Sequence, residues 1–437
     1  MSTKHGFVGS SNLPYGSFPS EYTRAHLADV CVENGGIQTG PFGSQLHQQD
    51  YVTIGTPIIT VEHLGENRIR HQDIPRVSDE DKERLSRYSL RPGDIVFSRV
   101  GSVDLRALVR KEEDGWLFSG RLLRVRPDEK IIDPAYLSWY FGLPSFREYV
   151  RKIAFGATMP SLNTKLLSDL PISFPPLAEQ KIVSDILGSL DDKIEANRRM
   201  NETLEAMARA IFKSWFVDFD PVRAKAEGRD PGLPHSLADL FPDFFEDSEL
   251  GKIPNGWRIQ SLGDLLELAY GKALKEEARR PGNIPVFGSN GQVGWHDEKL
   301  VGGPGIIVGR KGNPGIVKWS ATHFFAIDTT FYVVPKANCQ SLPFLFYVLR
   351  AHDLASLGAD SAVPGLNRNL AYMSRQVLPP AETLKAFDEH AGILFEAIHR
   401  NNEESRTLAA IRDALLPKLI SGEIRVGEAE KHVESVI

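Results

Sequence analysis

Apolar residues recur at alternating steps of four and three in two long stretches of the chain. The first stretch follows Pro176 and the second follows Pro380. The repeating positions are Val183, Leu187, Leu190, Ile194, Asn197, Asn201, Leu204, Ala208, Ile211 and Trp215, and then Phe387, Ala391, Leu394, Ile398, Asn401, Ser405, Leu408, Arg412, Leu415 and Leu419. This spacing is typical of coiled-coil helices. At about 1.5 Å per residue, each helix would be roughly 55 Å long.

Each of these two helices has a single apolar stripe, so neither is expected to be stable alone. We therefore predict that they pair with each other, antiparallel, within the chain. The alternative is that each helix packs on a partner protein. Asn197 and Asn401 hold the same position in their own copies, near the middle of each helix. In an antiparallel pair these side chains should meet, and a facing polar pair fixes the register of the helices.

The segments that precede the two helices also repeat. Residues 157–166 read ATMPSLNTKL and residues 361–370 read SAVPGLNRNL, and a double proline follows each of them. Further upstream, residues 93–101 (GDIVFSRVG) and 305–312 (GIIVGRKG) both predict an apolar strand that ends in a glycine turn. A second strand and a short aromatic helix come next in both halves. The shared order indicates an internal duplication.

These patterns predict a mixed α/β fold with two similar globules, each followed by a long α-helix, in a pseudo-twofold arrangement. Four prolines between residues 221 and 242 exclude a continuous helix between the copies. The predicted divisions are a flexible N-terminal arm (1–20), a first globule (21–176), a central helix (177–216), a linker (217–255), a second globule (256–380), a C-terminal helix (381–422) and a tail (423–437).

The charge distribution indicates a local basic face on an acidic chain. The net charge is −6, which argues against strong DNA binding by the chain alone, because Lys and Arg supply most non-specific affinity. Between residues 84 and 126, however, ten Arg and Lys outnumber five Asp and Glu. This segment is either a DNA-binding face or a solvated charged surface.

The remaining composition indicates a cytoplasmic protein. Two cysteines are too few for a disulfide framework or a cysteine-rich zinc site. We expect no secretory signal, because no charged start followed by an apolar stretch is present at residues 1–20. No apolar run approaches the roughly 18 residues of a membrane span.

The sequence carries none of the catalytic motifs that we sought. It has no phosphate-binding Gly-x-x-x-x-Gly-Lys-Ser/Thr loop and no His-Glu-x-x-His or Cys-x-x-Cys pair for a metal. The two double prolines lack the preceding Asn of the adenine-methyltransferase signature, since Phe174 and Leu378 stand there. We therefore expect neither a catalytic centre nor a metal site in this chain.

The chain resembles the specificity (S) subunit of type I restriction-modification systems. The resemblance is carried by residues 36–44 (GIQTGPFGS), 93–96 (GDIV), 175–183 (PPLAEQKIV) and 215–222 (WFVDFDPV), and it extends from about Tyr22 to Glu423. The second copy departs from the pattern at residues 269–272 (AYGK) and 379–385 (PPAETLK).

The resemblance implies that each globule is a target-recognition domain for one half of a bipartite DNA site. The paired helices would space the two domains and dock two methyltransferase subunits, joined by two nuclease/translocase subunits. The chain itself would bind no cofactor. S-adenosylmethionine, ATP and magnesium would be bound by the partner subunits.

Base reading favours Arg for guanine and Asn or Gln for adenine, presented from loops. On this basis we select polar residues beside glycine turns as candidate DNA-binding residues. They are Gln38, Thr39, Ser44, Arg99, Ser102, Thr158 and Asn163 in the first half, and Lys272, Ser289, Asn290, Arg310, Lys311, Asn313 and Asn367 in the second.

Each choice has a structural alternative. Asn163 and Asn367 either read bases or cap the loops in which they lie, and Arg99 and Arg310 either contact DNA or form structural salt bridges. Two other functions also fit parts of the sequence. One is an enzyme with its own methyltransferase or endonuclease activity, and the other is a coiled-coil adaptor that binds protein.

We predict that the isolated chain neither methylates nor cuts DNA, and that it binds DNA weakly at physiological salt. The reasons are the missing catalytic motifs and the net charge of −6. The measurement is methyl transfer from S-adenosylmethionine to duplex DNA, together with a mobility-shift titration. Methyl transfer by the pure chain would contradict the prediction.

Overall fold

The computed structural model describes residues 12–41, 45–156, 159–358 and 365–424. The chain divides into two compact units, residues 1–195 with 405–437 and residues 196–404. Each unit therefore combines one globule with a stretch of both long helices. The linear domain limits predicted from the sequence, including the N-terminal arm and the C-terminal tail, stay a prediction.

The first unit is a mixed α/β globule. Its strands are β1 (Asn12–Leu13), β2 (Gly16–Ser17), β3 (Thr23–His26), β4 (Ile37–Thr39), β5 (Tyr51–Val52), β6 (Thr56–Ile59), β7 (Arg76–Val77), β8 (Ile95–Ser98), β9 (Arg106–Leu108), β10 (Leu117–Phe118), β11 (Leu122–Val125) and β12 (Pro171–Phe174). Its helices are α1 (Asp79–Arg84), α2 (Pro134–Tyr140), α3 (Pro144–Ile153) and α4 (Thr164–Ser168), and α5 (Leu177–Phe216) begins in this unit. The central sheet has the antiparallel order β4-β11-β8-β9.

This central sheet is buried on both faces, which explains the uninterrupted apolar run of β8. Ile95 and Phe97 face a core that includes α2 and the long-helix residues Leu187 and Leu415. Val96, on the opposite face, packs in a second core beneath the sheet of order β10-β6-β7-β5. Loops at the end of β8 therefore emerge from a rigid platform.

The second unit repeats this plan. Its helices are α6 (Asp220–Ala226), α7 (His235–Ala238), α8 (Leu262–Leu265), α9 (Leu342–Ala351), α10 (Arg368–Met373) and α11 (Ala381–Ile420), which ends in the first unit. Its strands are β13 (Phe245–Ser248), β14 (Gly251–Pro254), β15 (Arg258–Ser261), β16 (Leu266–Tyr270), β17 (Ile284–Gly288), β18 (Gly291–His296), β19 (Gly305–Gly309), β20 (Val317–Ser320), β21 (Phe325–Ala326), β22 (Thr330–Pro335) and β23 (Arg375–Leu378).

The two units share their sheet topology. The order β16-β22-β19-β20 in the second unit matches β4-β11-β8-β9 in the first, and the pair β15-β23 matches β3-β12. Parallel strand pairing also occurs in both units, between β6 and β10 in the first and between β17 and β21 in the second. The predicted mixed α/β fold with two similar globules is confirmed.

An equivalent hydrogen bond occurs in both units, although the residues that form it differ. In the first unit, Ser184 on α5 donates to Asp133, which caps α2, at 2.6 Å. In the second unit, Ser341 caps α9 and donates to Asp388 on α11. Serine and aspartate have exchanged places, yet both bonds tie the aromatic helix to the long helix.

The long helices pair antiparallel, as predicted. In the second unit, Asn201 on α5 donates to Asn402 on α11 at 2.9 Å, whereas Trp215 packs against Phe387 with ring centroids 6.1 Å apart. Residue numbers on α11 therefore decrease along the contact as those on α5 increase, so the two helices run in opposite directions. In the first unit, Asp191 bonds Arg412 at 2.9 Å.

The two asparagines expected to face each other lie in the same part of the helix pair. Asn197 is buried and donates to the main-chain carbonyl of Asn401 at 3.4 Å and to Glu404 Oε2 at 2.7 Å. The Asn401 side chain donates instead to Asn201 Oδ1 at 2.9 Å. Their role in fixing the register stays a prediction.

Within the described part of the chain, no helix is both long and apolar enough to cross a membrane.

A buried ion cluster joins the helix pair to the first globule. Asp191 has a side chain only 5% exposed and contacts Arg68 at 2.6 Å and Arg412 at 2.9 Å. Asp192 also contacts Arg68 and Arg110, but its side chain is 64% exposed.

We predict that Asp191→Asn lowers the free energy of unfolding of the first unit by about 3 kcal/mol, because it removes the one buried carboxylate among the described partners of the buried Arg412. Asp192→Asn is the matched control and should cost less than about 1 kcal/mol, since water screens that pair. Urea unfolding of the full chain measures both. Equal costs for the two variants would contradict the burial argument.

Candidate nucleic-acid interface

The loops of the first unit gather at the end of its central sheet where β8 stops. Thr39 ends β4, and the neighbouring Gly40 donates its N–H to Leu122 O at 3.2 Å. Arg99 follows β8, and Ser102 is exposed in the next turn. These residues, with Gln38 and Asn163, form what we term the first candidate surface.

Arg99 links the elements of this surface. Its N–H donates to Arg121 O at 2.8 Å, and its guanidinium Nη1 donates to Gly120 O at 3.2 Å. Its own carbonyl accepts from the N–H of Leu162 at 2.9 Å. The β8 turn is thus tied both to the loop before β11 and to the Pro-x-Leu-Asn loop that carries Asn163.

Gln38 has a structural partner. Its Oε1 accepts from Arg124 Nη2 at 2.7 Å, and the same nitrogen donates to Gly35 O. Burial lowers the pKa of Arg124 to about 10, so the guanidinium stays charged at neutral pH. The hydrogen bond from Arg124 engages one lone pair of the Gln38 carbonyl oxygen and fixes the position of the amide group, whose NH2 can donate to a base.

The loops of the second unit meet in the same way. Lys272, just after β16, donates its N–H to Ala326 O at 3.0 Å, and Lys311 donates its N–H to Thr329 O at 3.1 Å. The first contact anchors its loop on the end of β21, and the second anchors its loop on the short turn before β22. The structure brings together here Lys272, Ser289, Asn290, Arg310, Lys311, Asn313 and Asn367, which we term the second candidate surface.

A glycine at the end of β19 permits this convergence. A Cβ atom on Gly309 would lie 2.2 Å from Asn313 O and 3.0 Å from Ser289 O. Backbone of two loops therefore approaches Gly309 closely, and only glycine fits there. This close approach places Ser289 and Asn313 beside the arginine that follows, Arg310.

Arg310 repeats the contacts of Arg99. Its carbonyl accepts from the N–H of Leu366 at 2.9 Å, and its Nη1 donates to Asp328 O at 2.9 Å. It makes no salt bridge to a described carboxylate. The salt-bridge interpretation therefore receives no support at this position, while DNA contact stays a prediction.

Asn163 and Asn367 act as helix caps. Asn163 precedes α4 and its side chain accepts from the N–H of Leu166 at 2.8 Å. Asn367 precedes α10 and accepts from Asn369 and Leu370 at 3.0 and 3.2 Å. The geometry favours the capping interpretation for both residues.

Two residues that the sequence analysis did not select lie in the second candidate surface. Tyr270 ends β16 with its ring half exposed, and the guanidinium groups of Arg310 and Arg368 both lie over that ring. A sequence signal existed, because Arg368 directly follows Asn367 whereas Thr164 follows Asn163. The two copies therefore differ at this shared loop position.

The other selected residues lie elsewhere. Ser44 and Thr158 fall outside the described residues, and Asn197 and Asn401 belong to the helix pair rather than to either surface. Among the side chains that the structure describes, no three His, Cys, Asp or Glu come together as metal ligands.

Comparison with known proteins gives a consistent result. Residues 19–206 match the type I restriction modification DNA specificity domain. The type I restriction enzyme HindI specificity subunit of Haemophilus influenzae is 27% identical over 428 residues, covering 82% of this chain and 92% of the relative. Residues 19–206 therefore carry a type I restriction modification DNA specificity domain, and most of the chain is similar to type I restriction enzyme specificity subunits. The resemblance drawn from the sequence is confirmed.

Another specificity subunit and a solved structure are also similar to this chain. The type I restriction enzyme MjaIX specificity subunit of Methanocaldococcus jannaschii is 28% identical over 317 residues, which are 67% of this chain and 69% of the relative. The crystal structure of a type I restriction-modification S subunit from M. genitalium has a TM-score of 0.54 at 16% identity, covering 91% of this chain and 96% of that one. This likeness shows the shared fold.

We predict that Asn163→Ala and Asn367→Ala each lower the free energy of unfolding by about 1 kcal/mol, because each removes a helix cap. Asn163→Asp and Asn367→Asp should keep the stability, since aspartate caps equally well. Urea unfolding of the full chain is the measurement. Unchanged stability in the alanine variants, combined with an altered DNA target, would favour base reading instead.

Proposed function

We propose that this chain is a type I restriction-modification specificity subunit that reads a bipartite DNA target, with each unit contacting one half-site. The proposal rests on one observation, which is that an arginine makes the same set of contacts in both units. Arg99 and Arg310 each follow a central buried strand, accept a hydrogen bond from the leucine of a Pro-x-Leu-Asn loop, and donate to a main-chain carbonyl. Two equivalent DNA-contacting surfaces in one chain are expected for a DNA target that consists of two half-sites.

Anchored arginines are suited to base recognition. A guanidinium has five N–H donors in a rigid fork, so a carbonyl that accepts from one of them orients the others. Such a fork matches O6 and N7 of guanine in the major groove. The nearby loop residues of each surface supply further donors for bases or phosphates.

We further propose that this chain performs no catalysis and docks two methyltransferase and two nuclease/translocase subunits. S-adenosylmethionine, ATP and magnesium would belong to those partners. The net charge of −6 supports this division, because partner subunits would then supply much of the attraction to phosphates. The absence of catalytic motifs from the sequence points the same way.

We predict that specificity divides by unit. Replacing residues 257–380 with the matching domain of a relative should change one half of the methylated sequence and leave the other half intact. The measurement is the methylated motif in cells that supply the partner subunits, and the control is the reciprocal exchange of residues 22–176.

Changes in both halves after a single exchange would contradict the two-reader proposal. No sequence-specific methylation in any assembled complex would instead favour a protein-binding adaptor.

A further inference from the structure

The guanidinium groups of two arginines lie over the half-exposed ring of Tyr270. The guanidinium carbon of Arg310 lies 4.8 Å from the ring centroid, and that of Arg368 lies 4.9 Å from it. Arg310 also lies 5.8 Å from the centroid of Phe331, and Arg368 lies 5.7 Å from that of Tyr372. Cation–π contacts of this kind fix the plane and position of a guanidinium group.

Each guanidinium is also tied to the backbone. Arg310 Nη1 donates to Asp328 O at 2.9 Å, and Arg368 Nη1 donates to Leu268 O at 3.3 Å. Leu268 lies in β16 and Asp328 in the turn before β22, so both anchors belong to the central sheet and its connections. The two side chains are therefore held before any ligand binds, which lowers the entropy cost of binding.

The positive charge of this arrangement favours the binding of a negatively charged ligand. Two positive charges share one aromatic ring, and among the described residues neither arginine has a carboxylate within ion-pair distance. Lys272 and Lys311 add further positive charge on the adjacent loops, and both are exposed. Like charges held close together repel, and a polyanionic ligand compensates this repulsion.

The described residues of the first unit include no such cluster at the matching positions. Strand register pairs Tyr270 with Phe331 as it pairs Thr39 with Leu123, so threonine holds the tyrosine's place there. Thr164 likewise holds the place of Arg368, directly after the capping asparagine. The cluster therefore belongs to what distinguishes the second reader from the first.

We propose that Arg368 is a sequence-reading residue of the second unit, with guanine as its target, and that Tyr270 positions both Arg368 and Arg310. This inference rests on the proposed DNA-reading function. The half-site read by the second unit then contains a G·C pair recognised by Arg368, in addition to the pair recognised by Arg310.

The test uses the chain assembled with its methyltransferase partners. Dissociation constants are measured on the cognate duplex and on duplexes with one base pair changed in either half-site, at several salt concentrations. Arg368→Ala should reduce discrimination at one G·C pair of the second half-site by on the order of 10- to 100-fold. Arg368→Lys should not restore it, because an ammonium group lacks the planar fork.

Tyr270 is tested by two matched variants. Tyr270→Ala should reduce discrimination at the positions of both Arg368 and Arg310, whereas Tyr270→Phe should retain it, because the ring face is preserved. Arg258→Ala removes an exposed positive charge from β15 of the same unit and serves as the control for net charge. Thermal unfolding of each variant checks that the fold is intact.

Equal weakening on all duplexes by Arg368→Ala, with a salt slope lower by about one, would show a phosphate contact only and overturn the proposal. Unchanged discrimination in both Arg368→Ala and Tyr270→Ala would overturn it as well. Failure of the underlying function is recognised separately, because the unaltered complex would then show no preference among the duplexes.

Discussion

Each long helix must bury a single apolar stripe, and this constraint organises both units. In the first unit, Leu187 of α5 and Leu415 of α11 share one core with Phe97 of the central sheet. In the second unit, Phe387 of α11 shares a core with Val308 of β19 and with Phe212 of α5. Helix pair and globule therefore stabilise each other within each unit. The central sheet becomes a platform buried on both faces, and the loops at its end hold the candidate DNA-reading residues in place.

Both copies pack their long helices against a globule, but the residues that make the contacts differ between the copies. At one position of the helix pair the first unit uses Asp191, bonded to Arg412, whereas the matching Phe395 of the second unit packs on Trp319 with ring centroids 4.6 Å apart. The first contact joins the two long helices, whereas the second joins α11 to β20 of the central sheet. The same fold therefore carries different residues at matching positions of the two units, and the loops at the end of the central sheet differ between the units as well.

The sequence predicted those features that depend on periodicity and repetition. The heptads predicted the antiparallel helices, and the apolar run before Arg99 predicted the buried β8. It did not show that Arg124 engages Gln38, because that contact joins residues far apart in the chain through strand pairing. For the same reason the sequence analysis missed Tyr270, whose place beside Arg310 depends on the register of β16 with β22. Contacts across a sheet need a register, and hydrophobic patterning alone does not supply one for loop residues.

The central claim is that each unit presents its own DNA-reading surface at the end of its central sheet. Photo-crosslinking tests it most directly, with the assembled complex bound to a cognate duplex that carries a photoreactive base in one half-site at a time. We expect one half-site to crosslink to the segment around Arg99 and the other to the segments around Arg310 and Arg368. Crosslinks from both half-sites to the same unit, or to α5 and α11 alone, would contradict it.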